Sequence, residues 1–143
     1  MIDAETKMPV VQINDHLLKR DDLSGQEGAK YFTLDKGRVN GYVTMQTQKS
    51  TYVGEMVDDE LEGIGQLEQK TEAKHDVYTG EWHKFEKHGF GKFEDKLSGS
   101  TYIGEYRNGL RHGHGILMKL SGVVYEGNFC QGLRHGTGKL TTP

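Results

Sequence analysis

One spacing governs what this chain can fold into. A tyrosine is followed, eleven positions later, by the first glycine of a Gly-x-Gly pair, and this happens four times. The segments are YVGEMVDDELEGIGQL from Tyr52, YTGEWHKFEKHGFGKF from Tyr78, YIGEYRNGLRHGHGIL from Tyr102 and YEGNFCQGLRHGTGKL from Tyr125. Their glycine pairs open at Gly63, Gly89, Gly113 and Gly136, and the tyrosines recur at intervals of 26, 24 and 23 residues. The inner spacing is constant, so length varies only in the connections, such as EQKTEAKHD, where a loop absorbs insertions cheaply. Self-similarity at this period marks supersecondary units that stack on their neighbours.

Within a unit, the period-2 alternation is that of a strand. Tyr102, Gly104 and Tyr106 share one face, with Ile103 and Glu105 on the other; the same columns hold Tyr52, Gly54 and Met56, then Tyr78, Gly80 and Trp82, then Tyr125, Gly127 and Phe129. Asn108-Gly109 supplies two residues that tolerate positive φ, so a tight turn returns the chain as a second strand. There Gly113, Gly115 and Leu117 fall on one face. Each unit is therefore a β-hairpin, and the predicted fold is all-β: an elongated single-layer antiparallel sheet of consecutive hairpins. Only 34% of residues are hydrophobic, while glycine numbers 20 and proline 2, so a thick two-layer core is excluded. Strand glycines leave room for large rings from neighbouring strands. Each aromatic contact adds about 0.5–1.5 kcal/mol beyond burial. At about 4.8 Å per strand, such a ribbon is on the order of 45 Å long.

The repeat domain is placed at 31–143, with full repeats over 52–140. Upstream, DKGRVNGYVTM resembles the second half of a unit, but Val43 replaces the second glycine and Tyr31 is one position out of register. Residues 31–50 are thus a degenerate first repeat, as terminal caps often are. Residues 1–30 form a polar N-terminal tail. Within it, NDHLLKRDDL reads either as a short helix, N-capped by Asn14 or Asp15 with Ile13, Leu17 and Leu18 to one side, or as disordered tail.

The pattern Tyr78-Gly80-Glu81-Trp82…His88-Gly89-Gly91 resembles the MORN repeat (membrane occupation and recognition nexus). It covers roughly two-thirds of the chain, and its specificity lies in the recurrence of the whole pattern. The first full unit departs from it with Met56 for the aromatic and Glu62 for the histidine, and the last with Asn128 for glutamate. The resemblance implies a non-catalytic scaffold, in many relatives part of a cytoskeletal, axonemal or membrane-apposed assembly, and in some a groove that holds a partner helix. MORN arrays also occur beside kinase and methyltransferase domains, for which this chain has no room.

Other chemistries fit the residues poorly. A phosphate loop needs a helix N-terminus after its glycines, and here strands follow. His112, His114, Cys130 and His135 are ligand types that zinc uses, but equivalent positions in adjacent hairpins stand about 10 Å apart, too far for one ion. The His88, His112 and His135 column reads instead as a turn residue whose ring packs at the hairpin. Only His114, whose counterparts are Phe90 and Thr137, is left unexplained by the repeat. Cys130 and His135 lack an orienting carboxylate and a water-excluding cleft, and Glu55, Glu81 and Glu105 suit cross-strand pairing with Lys or Arg. The expectation is no enzyme, no cofactor and no metal.

The candidate partner-binding residues are Trp82, Tyr102, Tyr106 and Phe129, with Tyr78 and Tyr125; for the leading tyrosine of each unit, core packing is the preferred reading. The expected partner is a helix or extended peptide in the aromatic groove. The last strand, Gly136–Thr141, has an unguarded edge that suits a homodimer. The alternative is a peripheral module on anionic phospholipid, using Lys84, Lys87, Lys92, Arg107, Arg111, Arg134 and Lys139. Residues 1–72 carry 8 Lys/Arg against 14 Asp/Glu and residues 73–143 carry 10 against 7, for a whole-chain charge of −3, which argues against nucleic-acid binding. A lone cysteine, no apolar run long enough to span a bilayer and no secretory-type start point to a cytoplasmic location, with a cytoskeletal, ciliary or axonemal setting following from the resemblance.

Overall fold

Two-residue turns with positive φ at both central positions set the architecture. They fall at Asp58-Asp59 (φ 49° and 68°), Lys84-Phe85 (47° and 66°), Asn108-Gly109 (50° and 81°) and Gln131-Gly132 (49° and 85°). This is the turn whose twist matches that of paired strands. The computed structural model describes residues 10–13, 16–19, 32–35 and 38–143, with side chains from residue 38 onward. Its strands are β1 (Val10–Ile13), β2 (His16–Lys19), β3 (Phe32–Asp35), β4 (Arg38–Gln46), β5 (Ser50–Val57), β6 (Glu60–Lys70), β7 (His75–His83), β8 (Glu86–Asp95), β9 (Ser100–Arg107), β10 (Leu110–Met118), β11 (Val124–Cys130) and β12 (Leu133–Thr141). Strands β3 to β12 form one open antiparallel sheet in sequence order, as the repeat predicts.

The N-terminal segment differs from the helical reading. His16–Lys19 are a strand paired with Val10–Ile13, in a separate two-stranded sheet. Val10, Val11 and Ile13 are β-branched, which favours pairing over helix. The suggested caps Asn14 and Asp15 lie outside the described residues.

Register in the main sheet is fixed by glycine facing glycine. Gly54, Gly65, Gly80, Gly91, Gly104, Gly115, Gly127 and Gly138 pair in succession across eight strands. Val43 pairs with Gly54 at the N-terminal end of this row and is fully buried. It supplies the bulk that a tyrosine ring supplies in the full units.

The reason for the row is close approach. A Cβ on Gly104 would stand 2.5 Å from the Gly115 Cα, and one on Gly115 would stand 2.4 Å from the Tyr102 hydroxyl. Each leading tyrosine lies over the two glycines and donates its hydroxyl to the carbonyl three residues on: Tyr52 to Glu55 at 2.7 Å, Tyr78 to Glu81 at 2.7 Å, Tyr102 to Glu105 at 2.8 Å and Tyr125 to Asn128 at 3.0 Å. The rings meet edge to face. Centroid separations of 6.0, 4.9, 5.3, 5.2, 5.1 and 5.3 Å link Tyr52, Trp82, Tyr78, Tyr106, Tyr102, Phe129 and Tyr125 in one zigzag. The core of this single-layer sheet is that zigzag, extended at the N-terminal end by Val39, Val43, Met45, Met56 and Leu61.

Beside each glycine pair the ladder slips by a bulge, between Gly54 and Met56, Gly80 and Trp82, Arg111 and Gly115, and Gly127 and Phe129. Gly113 sits in that bulge at φ 65°. The glutamate column holds the bulge: Glu55 Oε2 accepts from the Ile64 N–H at 2.6 Å, Glu105 Oε2 from the His114 N–H at 2.6 Å, and Glu81 Oε2 from the Phe90 N–H. These carboxylates bind backbone, and the expected pairing with Lys or Arg is replaced. The unit with Asn128 substitutes an amide that donates to Thr137 O at 3.3 Å.

The turns also tie each unit to the one before. Asp59, Phe85, Gly109 and Gly132 donate their N–H groups to the carbonyls of Val39, Leu61, Lys87 and Arg111 at 2.9–3.2 Å.

Burial of the rings has an alkaline signature. It pushes the hydroxyls of Tyr52, Tyr78 and Tyr106 well above the usual tyrosine value, and that of Tyr102, with the Arg111 charge partly offsetting, to about 12. A folded pKa above the unfolded one stabilises the fold fully below pH ~10, and that stability is lost as pH climbs through the folded value. Ultraviolet phenolate titration is expected to find these rings silent until the fold is lost above pH ~11, in step with the far-ultraviolet signal. Free titration of every tyrosine near pH 10 would show that the zigzag is open to solvent.

Candidate functional site

The face that carries the rings also carries a row of cations. Lys87 lies opposite Trp82 across its hairpin, Arg111 opposite Tyr106 and Arg134 opposite Phe129, while in the first full unit Leu61 lies opposite Met56. All four stand at the same position of the repeat, nine residues after its leading tyrosine. The two-residue turn sets this register, so the residue shares the ring face with the aromatic it pairs with.

The cations lie down on the rings. Lys87 Nζ is 4.7 Å from the Phe93 centroid and 5.5 Å from that of Tyr78. The Arg111 guanidinium is 5.2 Å from the Phe129 centroid and 5.5 Å from that of Tyr102, and donates to Gly132 O at 2.8 Å. Arg134 is 5.5 Å from the Tyr125 ring. Ring faces attract such cations electrostatically. Lys87 and Arg111 are half-buried and Arg134 is exposed. Burial holds the Lys87 ammonium below the usual lysine range.

These three side chains pair with no carboxylate among the described residues, whereas other cations nearby do. Lys74 reaches Asp76 at 3.3 Å, and Lys92 and Lys96 both reach Glu94, at 3.3 and 3.5 Å. Between the cations the face is hollow. A volume of about 620 Å³ opens between Lys87 and Arg111 over Phe93, Tyr102, Tyr106 and Leu117, and smaller ones of about 380 and 250 Å³ lie at Trp82–Phe85 and at Tyr125–Leu140.

Most of the candidate contact rings sit beneath this surface. Trp82, Tyr102, Tyr106, Phe129 and Tyr78 are only 2–6% exposed, and Tyr125 is half-buried. Their edges are used on one another, and Trp82 Nε1 is used on Gly65 O at 2.9 Å. What a partner would meet is mainly the cation row and the walls of the hollows. Position nine of the repeat has the parity of the ring face, a signal that marks this row in the sequence.

The histidine candidates are not brought together. His114 and His135 are exposed, His112 and Cys130 partly so, and His114 Nε2 lies 3.6 Å from Glu126 on the opposite face. Among the described residues no three His, Cys, Asp or Glu side chains are grouped to hold a metal. His88, His112 and His135 are strand residues, and His88 meets His83 at 5.5 Å between ring centroids. They mark the strand beside the bulge glycine instead of the turn. The cations proposed for a membrane are divided. Lys92, Lys139 and Arg107 stand apart from the ring face, Lys84 is in a turn, and among the described residues no helix is long and apolar enough to cross a bilayer.

A family model for the MORN repeat matches residues 52–69, 78–96, 102–119 and 125–143, just over half of the chain. Comparison with curated proteins gives no match.

Proposed function

The chain belongs to the MORN-repeat family, and on that premise we propose that it is a non-catalytic adaptor that joins protein partners through its open sheet edge and its hollow ring face. The observation that carries this reading is strand β12. All nine of its residues are exposed, Leu133 by 73% and Leu140 by 55%. Only β11 pairs with it among the described residues, so its outer row of N–H and C=O groups is free to template another strand. Lys139 is the one lysine along it, a weak guard against such addition. MORN repeats commonly mediate protein or membrane interactions. The cytoskeletal or axonemal setting, taken from the family resemblance, and the cytoplasmic location, taken from the lone cysteine, belong to the same proposal.

Edge pairing predicts a concentration-dependent dimer. Sedimentation velocity of the whole chain is expected to show dimer at tens of micromolar. A proline at Lys139 or Leu140, whichever N–H faces outward, is expected to return it to monomer, because proline removes the donor. An unchanged monomer in the parent and in both variants would remove self-pairing from the reading.

A further inference from the structure

We propose that the cation row of Lys87, Arg111 and Arg134 is a docking ladder for an amphipathic α-helix that carries acidic side chains at seven-residue intervals. This rests on the adaptor reading only in taking the ring face as a partner surface, and it does not require the edge.

The ladder has a fixed pitch. Its members occupy equivalent positions in successive hairpins, so neighbours are separated by two strand spacings, about 9.6 Å. An α-helix laid along the ribbon, across the strands, rises about 10.5 Å in seven residues and brings residues i, i+7 and i+14 back to nearly the same side. The mismatch over the whole ladder is about 2 Å, within the reach of long lysine and arginine side chains. An extended strand repeats a side every two residues, at about 6.6 and 13 Å, and misses the pitch. A polyproline helix repeats at about 9.3 Å, but it places one side chain per turn on the face and leaves the hollows unfilled. A helix with a heptad places apolar residues beside each acidic one, and these match the hollow over Phe93, Tyr102, Tyr106 and Leu117.

The charge requirement follows from the missing partners. Two half-buried cations and one exposed cation share the face, and none has a carboxylate at ion-pair distance among the described residues. A carboxylate arriving at the rim would be partly shielded from water and strengthened by a two-nitrogen guanidinium contact at Arg134. Arg111 and Lys87 lie flat on rings beside hollows, where a planar bilayer surface cannot follow them. The ladder also has an end. Its place in the first full unit is taken by Leu61, which is fully buried, so the acidic run belongs over β7 to β12 and defines the helix register.

The test uses the full chain and three labelled 24-residue helical peptides, read by fluorescence anisotropy. One has Leu-flanked Glu at i, i+7 and i+14; the second has Gln at those positions; the third has the three Glu respaced to i, i+5 and i+10. The first is expected to bind at least 10-fold more tightly than either control, and to weaken steeply with added salt. Arg134→Gln, exposed and remote from the zigzag's centre, is expected to weaken the first peptide about 5-fold and leave the Gln peptide unchanged. Lys87→Gln, checked for its fold by far-ultraviolet dichroism, should do the same. Equal affinity for the Glu and Gln peptides would overturn the ladder while leaving a groove that docks helices. No binding of any peptide would overturn it too. So would retention on phosphatidylserine vesicles that Arg134→Gln abolishes, with no preference among peptides, which would assign the cations to a lipid headgroup. The sedimentation result stands apart from every one of these outcomes.

Discussion

Replacing Gly104 with alanine is expected to destabilise the sheet by about 3 kcal/mol, the upper part of the range for forcing a methyl group into a packed interior. The added carbon would meet Gly115 Cα at 2.5 Å and His114 O at 2.6 Å, which are backbone atoms of the facing strand, and the Tyr102 hydroxyl at 2.7 Å. A flexible side chain could swing aside, but here two strands would have to part, and the hydrogen bonds between β9 and β10 part with them. The control is Gly109→Ala. Its Cβ meets nothing within 4 Å, and its only penalty is a backbone φ of 81°, worth about 1 kcal/mol. Urea unfolding followed by far-ultraviolet dichroism compares the two. If Gly104→Ala costs no more than Gly109→Ala, the glycine row is not held by close approach.

The second large effect is at Trp82. Removing its ring by Trp82→Ala is expected to cost about 4 kcal/mol. The indole is 4% exposed, sits edge to face with Tyr52 and Tyr78, and is the link between the rings of the first two full units. Trp82→Phe keeps a ring but removes the donor that Gly65 O receives at 2.9 Å, so a cost of about 1–2 kcal/mol is expected from the orphaned carbonyl. Trp82 is the sole tryptophan, so dichroism must be the readout for the variants. A loss below 1 kcal/mol for Trp82→Ala would mean that the zigzag is not a continuous core. The same expectation makes Trp82→Ala a poor probe of partner binding, because lost capture would reflect a lost fold. Arg134→Gln tests recognition without that confusion.

How far the sequence spoke depended on whether a residue type announces its own role. Asn108-Gly109 announces a turn, because few other pairs accept positive φ twice. Lys84-Phe85 does not: Phe85 takes φ 66° because its ring packs against the core, and only its place in the repeat predicts the turn. Alternation assigned Tyr78, Trp82, Tyr102 and Tyr106 to one face, but it says which side a ring is on and not whether another ring covers it. Placing six aromatics on a bare sheet suggested contacts for a partner, and the structure spends them on each other. The glutamate column was misassigned for a related reason. Glu105 looks like half of an ion pair, and its actual partner, the N–H of His114 beyond a positive-φ glycine, has no residue identity to read. The two-residue turn sets position nine opposite the second aromatic of its unit, and so on the ring face. That pairing joins Lys87, Arg111 and Arg134 into one row, where the bare sequence scattered them among seven basic residues.

The hydrogen bonds from each turn to the strand before it, together with the sequence-ordered pairing of β3 to β12, also determine how the molecule bears load. Antiparallel hydrogen bonds run perpendicular to the strands, and therefore along the length of this ribbon. Its first and last described strands stand at opposite edges. A pull between those edges loads the ladders in series, and the weakest opens first across its hydrogen bonds instead of a whole strand shearing at once. Because each unit leans on its neighbours alone, the units beyond the opened ladder keep their rings and register. The ribbon thus lengthens in steps of a hairpin and re-forms in the same steps when released, so a partner seated on one hairpin would be shed or kept according to which ladder opens.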